Sequence, residues 1–432
     1  MWNFSKFASL FYQVFFLSLA AAATHVYGLV DQAFISQLSS GHLRTHIYID
    51  YIVLLFILAA RVVGQSLLVA VSKAQQTIER GQYLSGALGL TIGFSLLLYS
   101  GMGVLSQFRL VDLGLVDSTR YSHIQIFAAI LLSTNVILKF ALIAEGKHKA
   151  LLAGEALGNT LNLILNYVFF IAFESNEDKF VGIAYSTLLS QLCLGVYYGL
   201  LNRQLLHLKA LQPIVFLKRG RVILGGEAFN MILLAYAPLL ITGIMELRAD
   251  LDLLVGFNVG FRLYSLLSIP LVAMTMIGTT HLSKLAIKTT EENGKVADQW
   301  RSYKLMLGLT GAILTLVPGA ILFLFNHDFF TYVISLESDA SRKIALFQIL
   351  NVVYGFWSGV QGATLRALEK PYYIGAAGLM SSYFVTSPAL YVYFGISQCL
   401  IGTGLILVGP GLVGVLFLQF VIKSIEKKKV LR

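Results

Sequence analysis

The 432-residue chain is 57% hydrophobic and carries charge on only 12% of its residues, with a net charge of +10. Soluble domains carry about 25% charge, so the composition excludes an ordinary soluble protein and points to repeated crossing of a membrane. It also argues against nucleic acid as a partner, because the cations are spread over loops along the whole chain instead of forming one patch.

Apolar runs of about 20 residues, enough to cross a bilayer, recur throughout. They predict an all-α membrane protein with twelve transmembrane helices. In chain order these lie near 7–38, 47–72, 84–106, 121–144, 151–173, 181–201, 221–245, 252–282, 303–325, 344–367, 372–394 and 397–422. The first run is too long for a cleaved signal and lacks a basic start. With a cytoplasmic N-terminus, most Lys and Arg fall inside, including Lys73, Arg80, Lys147, Lys149, Arg219, Lys284 and Lys304. Outside fall only Arg44, Arg109, Arg120, Lys179, Arg248, Arg342 and Lys343. This bias follows the positive-inside rule and predicts that both termini are cytoplasmic. The basic tail KSIEKKKVLR then anchors the topology beside anionic lipid.

The connection NRQLLHLKALQPIVFLKRGR (202–221) divides the chain almost evenly. We expect an N-lobe of residues 1–211 holding helices 1–6 and a C-lobe of residues 212–432 holding helices 7–12. Parallel repeats of this kind are related by an axis along the membrane normal and enclose a cavity near the midplane. All seven prolines come after residue 211, so any bend in helix 1 would fall to Gly28. No Walker A loop, Cys/His metal spacing or GxSxG elbow occurs, so we expect no enzyme, no bound cofactor and no ATP drive. Cys193 and Cys399 read as small core residues.

Ionisable groups in a span are costly, at about 2.5–3.5 kcal/mol or more, and are functional candidates by default. Three carboxylates stand out: Asp31, Glu155 and Glu227. Asp31 lies late in helix 1, in the outer half of the membrane, on one face with Thr24 and Tyr27. Burial suits such a carboxylate to accept a proton; the other reading is an interfacial Asp that caps the loop at 39–46. In GEALGNTLNLILNY (154–167), Glu155, Asn159, Asn162 and Asn166 are spaced so that a helix brings all four onto one narrow face. Such a stripe either bonds helices together or supplies amide groups to a cation or a protonated acid. Glu155 also suits the positive end of the helix 5 dipole. Glu227 invites the same reading, or a second site with Asn230 and Tyr236. Arg61 and Arg262 are cations within spans; Arg61 either pairs with a carboxylate such as Asp31 or meets an anionic substrate group. Lys139 can snorkel to the interface, and His25 reads as a core histidine. Helix 10 carries Gln348, Asn351, Tyr354, Trp357, Ser358 and Gln361, where aromatics and amides suit flat amphiphilic cations or simply an interfacial belt.

The helix 4 exit AEGKHKALL (144–152) and the helix 10 exit LRALEKPYY (365–373) echo each other. Together with LVDQAFISQL (29–38), AEGKHKALLAGEALGNTLNLILNYVFF (144–170) and GIAYSTLLSQ (182–191), they resemble the multidrug and toxin extrusion (MATE) family. That family lies within the multidrug/oligosaccharidyl-lipid/polysaccharide (MOP) exporter superfamily. The resemblance covers the whole chain in layout. It implies two pseudo-symmetric six-helix lobes in a V shape, and drug efflux driven by inward H⁺ or Na⁺. It also implies a coupling site at Asp31, Asn162, Asn166 and Thr187, with Asn166 standing where the family pattern has a second carboxylate. Gln191, at the end of the helix 6 motif, joins Tyr27, Arg61, Glu155, Asn159, Glu227, Asn351, Tyr354 and Trp357 as further pocket candidates.

The expected function is therefore a monomeric antiporter of the cytoplasmic (inner) membrane, exporting small amphiphilic or cationic organic compounds. One carboxylate among amides favours H⁺ as coupling ion, with Na⁺ the alternative. Rival readings are a flippase for a lipid-linked or amphiphilic intermediate and a dedicated exporter of a siderophore or other natural product.

Overall fold

A computed structural model describes residues 4–107, 119–206, 213–288, 295–325, 328–330, 338–397 and 399–430. It is helical almost throughout. The first half contains α1 (Phe4–Ile35), α2 (Ser40–Lys73), α3 (Thr77–Gln107), α4 (Thr119–Ala144), α5 (His148–Ala172) and α6 (Asn176–Leu201). The second contains α7 (Pro213–Arg248), α8 (Leu251–Leu267), α9 (Ile269–Lys288), α10 (Lys295–Leu324), α11 (Asp339–Leu350) and α12 (Val352–Ala367). It ends with α13 (Tyr372–Gly378), a π-helical stretch (Leu379–Thr386), α14 (Ser387–Phe394) and α15 (Leu400–Val430).

Ten helical segments among the described residues are long and apolar enough to cross a membrane. The chain is thus an all-α, multi-pass membrane protein. The two remaining predicted spans are helical but differ in kind. α5 has 25 residues and is set apart by its polar stripe, not by its length. The predicted span 372–394 is one helical run interrupted by the π stretch. There the hydroxyls of Thr386 and Ser387 reach the carbonyls of Ser381 and Ser382, five residues back. Pro388, which has no N–H to donate, follows directly. Two further breaks fall inside predicted spans. The predicted 252–282 span divides at Ser268 ahead of Pro270, and the predicted 344–367 span divides at Asn351.

The chain divides into two compact units, Leu19–Leu224 and Gly225–Arg432 together with Met1–Ser18. α1 is therefore shared, its first half belonging with the C-terminal unit. The expected lobe boundary at 211/212 lies outside the described residues. In the N-terminal unit α4 sits between α2 and α6, and α5 packs on α6. Ile35, Phe56, Tyr121, Phe180 and Ile183 form one buried cluster there. In the C-terminal unit α8 lies against α11 at close range. A Cβ on Gly256 would collide with the Ser341 carbonyl, and one on Gly260 would come within 2.6 Å of Ala345 Cα. Small residues are what lets membrane helices approach this closely. Outward-facing Leu97, Ile171, Leu200 and Phe420 are all more than half exposed, an apolar surface that a bilayer covers.

The two echoing exits adopt the same left-handed turn. Gly146 has φ 79° and Glu369, at the corresponding place in the second half, has φ 59°. A side chain in this conformation costs roughly 1–2 kcal/mol, whereas glycine adopts it freely. Glu369→Gly is expected to stabilise the protein by about 0.5–1 kcal/mol after the larger chain entropy of glycine is subtracted. Thermal unfolding in detergent measures this; a lower midpoint would mean that the Glu369 side chain itself holds the turn.

Candidate functional site

The four residues singled out by family resemblance meet in one hydrogen-bonded group within the N-terminal unit. Asp31 of α1 is 5% exposed. Its Oδ1 accepts from Asn166 Nδ2 at 2.7 Å, and its Oδ2 accepts from Thr187 Oγ1 at 2.7 Å. Asn166 also donates to Asn162 Oδ1 at 3.2 Å, and Asn162 Nδ2 reaches Thr187 Oγ1 at 3.4 Å. Helical spacing explains why: Asn162 and Asn166 are one turn apart on α5, facing α1 and α6 together. Sequence reasoning missed Ser186, whose hydroxyl donates to Asn166 Oδ1. Its position beside Thr187 was the available signal. Asn162 and Asn166 are fully buried, and no polar side-chain atom of this group lacks a partner.

A second polar group lies along the same seam. Glu155, 2% exposed, is held by Lys139 of α4 at 2.5 Å, by Tyr198 of α6 at 2.7 Å and by Thr24 of α1 at 3.0 Å. The expected dipole role for Glu155 and snorkelling role for Lys139 give way to a buried ion pair. Desolvated opposite charges seek each other, since either alone would be costly. Asn159 donates to the Ala23 carbonyl at 2.8 Å, tying α5 to α1 between the two groups. Gln191 lies apart from the Asp31 group and receives Asn135 Nδ2 at 3.0 Å.

Towards the predicted outer ends of α2 and α4 the sequence reading missed a third group. Buried His46 approaches Tyr121 Oη at 2.8 Å and Asp50, one turn later on α2, at 3.3 Å. Gln125 donates to the same tyrosine oxygen at 3.3 Å. The i, i+4 spacing of His46 and Asp50 was the legible signal.

The remaining candidates do not join these groups. Arg61 is exposed and, among the described residues, makes no ion pair with Asp31 or any other acid. Arg262 is exposed as well. The side chains of Tyr27 and His25 lie outside the described residues. Glu227 does not form a site with Asn230 and Tyr236. Both its oxygens are taken by Arg366, at 2.6 and 3.0 Å, and Tyr236 is 60% exposed. Asn351 caps the break between α11 and α12 and donates to Gln348 at 3.2 Å. Tyr354 is half-buried beside Gly411, while Trp357 is exposed. Cys193 and Cys399 are exposed free thiols, not the core residues expected, and so belong to the covering surface. Among the described residues no three His, Cys, Asp or Glu side chains gather as metal ligands. Any coupling cation at Asp31 would thus rely on one carboxylate with amide and hydroxyl oxygens.

No family model matches the sequence, and no curated protein does. The fold, however, matches solved transporters over nearly the whole chain. A Vibrio cholerae MATE transporter in a bent form aligns with TM-score 0.80 at 17% identity, over 97% of this chain and 98% of that one. An outward-facing multidrug resistance MATE transporter of the MOP superfamily aligns with TM-score 0.79 at 14% identity, over 96% of each chain. A MOP superfamily transporter from Pyrococcus furiosus, described as having a binding pocket of reversed polarity, aligns with TM-score 0.78 at 15% identity. This alignment covers 97% of this chain and 96% of that one. The chain thus has the MATE fold expected from its sequence.

Proposed function

We propose that the protein is a cation-coupled exporter of small amphiphilic or cationic organic compounds, working by alternating access with the proton as coupling ion. The observation that carries this reading is the Asp31 group: a single buried carboxylate held only by amides and hydroxyls. Ionised, Asp31 accepts hydrogen bonds from Asn166 and Thr187. Protonated, it becomes a donor, and the Thr187 hydroxyl has a second acceptor ready in the Ile183 carbonyl at 3.3 Å. One proton therefore re-aims bonds that join α1 to α5 and α6, which biases the helices towards a second arrangement. Asn166 in place of a second carboxylate leaves one negative charge, matched by one proton. A hard cation such as Na⁺ would have to recruit oxygens that already have partners here. On this reading the protein acts as a monomer in the cytoplasmic membrane, needs no bound cofactor, and keeps both termini inside around twelve spans.

The test is export of a lipophilic fluorescent cation from proteoliposomes under an imposed pH gradient or an imposed Na⁺ gradient. We expect the pH gradient alone to drive it. Transport driven by Na⁺ alone would overturn the proton assignment. A dye that neither gradient moves, together with passage of a labelled lipid-linked glycan, would replace the exporter with a flippase.

A further inference from the structure

Glu155 does more than a helix-start carboxylate needs to. A residue of α5, it gathers side chains from α1, α4 and α6 around one buried carboxylate. Thr24, which donates to it, lies seven residues before Asp31. That places the two about 10 Å apart along α1 and on the same face. The seam between α1 and α5 therefore carries a carboxylate at each end, Asp31 towards one side of the membrane and Glu155 towards the side of the basic loop Lys147–Lys149.

Asn159 lies between them, one turn from Glu155 and about one turn from Asn162. Its amide nitrogen is fully used, on Ala23 and Glu155 carbonyls at 2.8 and 2.9 Å. Its Oδ1 is buried and has no partner in the protein. A buried acceptor left unpaired is costly, and in native structures such an atom usually holds a water or an ion. An ordered water bonded to Oδ1 would satisfy it.

We propose that Glu155 is a second proton-binding station inward of Asp31, with Lys139 as its counter-ion and Asn159 Oδ1 holding one of the waters on the path between the two. This inference rests on the reading of Asp31 as the coupling site. A proton leaving Asp31 crosses to Glu155 along hydrogen-bonded waters that pass Asn159 Oδ1; Asp31 is left ionised and Glu155 neutral. Neutral Glu155 releases Lys139 from its ion pair and frees Thr24, loosening the inner half of α1 from α5. When the proton departs to the basic-loop side, Lys139 again compensates the carboxylate and the contact with Thr24 re-forms. One proton arrives at Asp31 and one leaves from Glu155 per cycle. The ionisable groups facing Glu155 are Lys139 from α4 and Tyr198 from α6; α1 offers only the Thr24 hydroxyl among its described side chains.

The experiment measures protons taken up per substrate exported, with a pH dye inside proteoliposomes, alongside thermal unfolding. The neutral pair Lys139→Met/Glu155→Gln avoids stranding a buried charge. The exchange Lys139→Glu/Glu155→Lys keeps an ion pair but moves the carboxylate off the α5 stripe. We expect both to lower the proton-to-substrate ratio roughly tenfold or more, with the exchanged pair melting closer to wild type than the neutral one. A purely structural bridge would alter melting and leave the ratio at its wild-type value, and that result in either variant overturns the proposal. If the wild type takes up no protons during export, the reading of Asp31 itself fails, an outcome distinct from variants that couple as well as wild type.

Discussion

Asp31→Asn is expected to lower gradient-driven export by about 100-fold or more while the protein stays folded. The amide keeps the shape of the side chain, and its oxygen can still accept from Asn166. Thr187 can turn its hydroxyl to the Ile183 carbonyl. The change in hydrogen bonding thus costs on the order of 1 kcal/mol, too little to unfold a membrane protein of this size. What is lost is the only group in the cluster that can gain or lose a proton: Asn162, Asn166, Ser186 and Thr187 do not titrate near neutral pH. Export and melting measured on the same preparation separate the two effects. Wild-type export by Asp31→Asn would remove Asp31 from the coupling role.

Arg366→Ala is expected to cost about 3–5 kcal/mol of stability. Arg366 and Glu227 are joined by two bonds at 2.6 and 3.0 Å, with side chains 8% and 0% exposed. Truncating the arginine leaves the Glu227 charge buried with no counter-ion. The pair also joins α7 to the last turn of α12, and the adjacent residue on α7, Gly226, lies against Pro371 and the Tyr372 backbone just beyond that turn. Replacing both partners, as in Arg366→Met/Glu227→Leu, removes the charges together and is expected to come within about 1–2 kcal/mol of wild type. Denaturant unfolding in detergent compares the two. Equal losses for the single and double replacements would show that packing, not charge, sets the stability there.

Helical spacing alone predicted that Glu155, Asn159, Asn162 and Asn166 share a face, because periodicity is a property of the chain itself. What that face meets is a tertiary fact. The meeting of Asp31, Asn166 and Thr187 was expected only through family resemblance, since no local rule relates residues 135 and 156 positions apart. The Lys139–Glu155 pair was missed for a related reason. Each residue had a sufficient local explanation, snorkelling for one and the helix dipole for the other, and neither explanation calls for the other residue. Asp50 escaped notice beside the more central Asp31 although its turn-mate His46 was visible. The breaks at Ser268 and Asn351 and the π stretch at 379–386 were hidden inside continuous apolar runs. Hydropathy registers length and composition and is blind to a carbonyl that switches its partner by one residue.

The sharing of α1 has a consequence for synthesis. Residues up to Ser18 belong with the unit that begins at Gly225, and Gln13 lies 3.2 Å from His281. At about 5–20 residues per second, a ribosome reaches Gly225 roughly 10–40 s after it has made Ser18. For that interval the segment up to Ser18 has no finished surface to settle on. The C-terminal unit is thus assembled from two stretches of chain made at different times, and a fragment starting at Gly225 would lack the segment up to Ser18 with which it is packed.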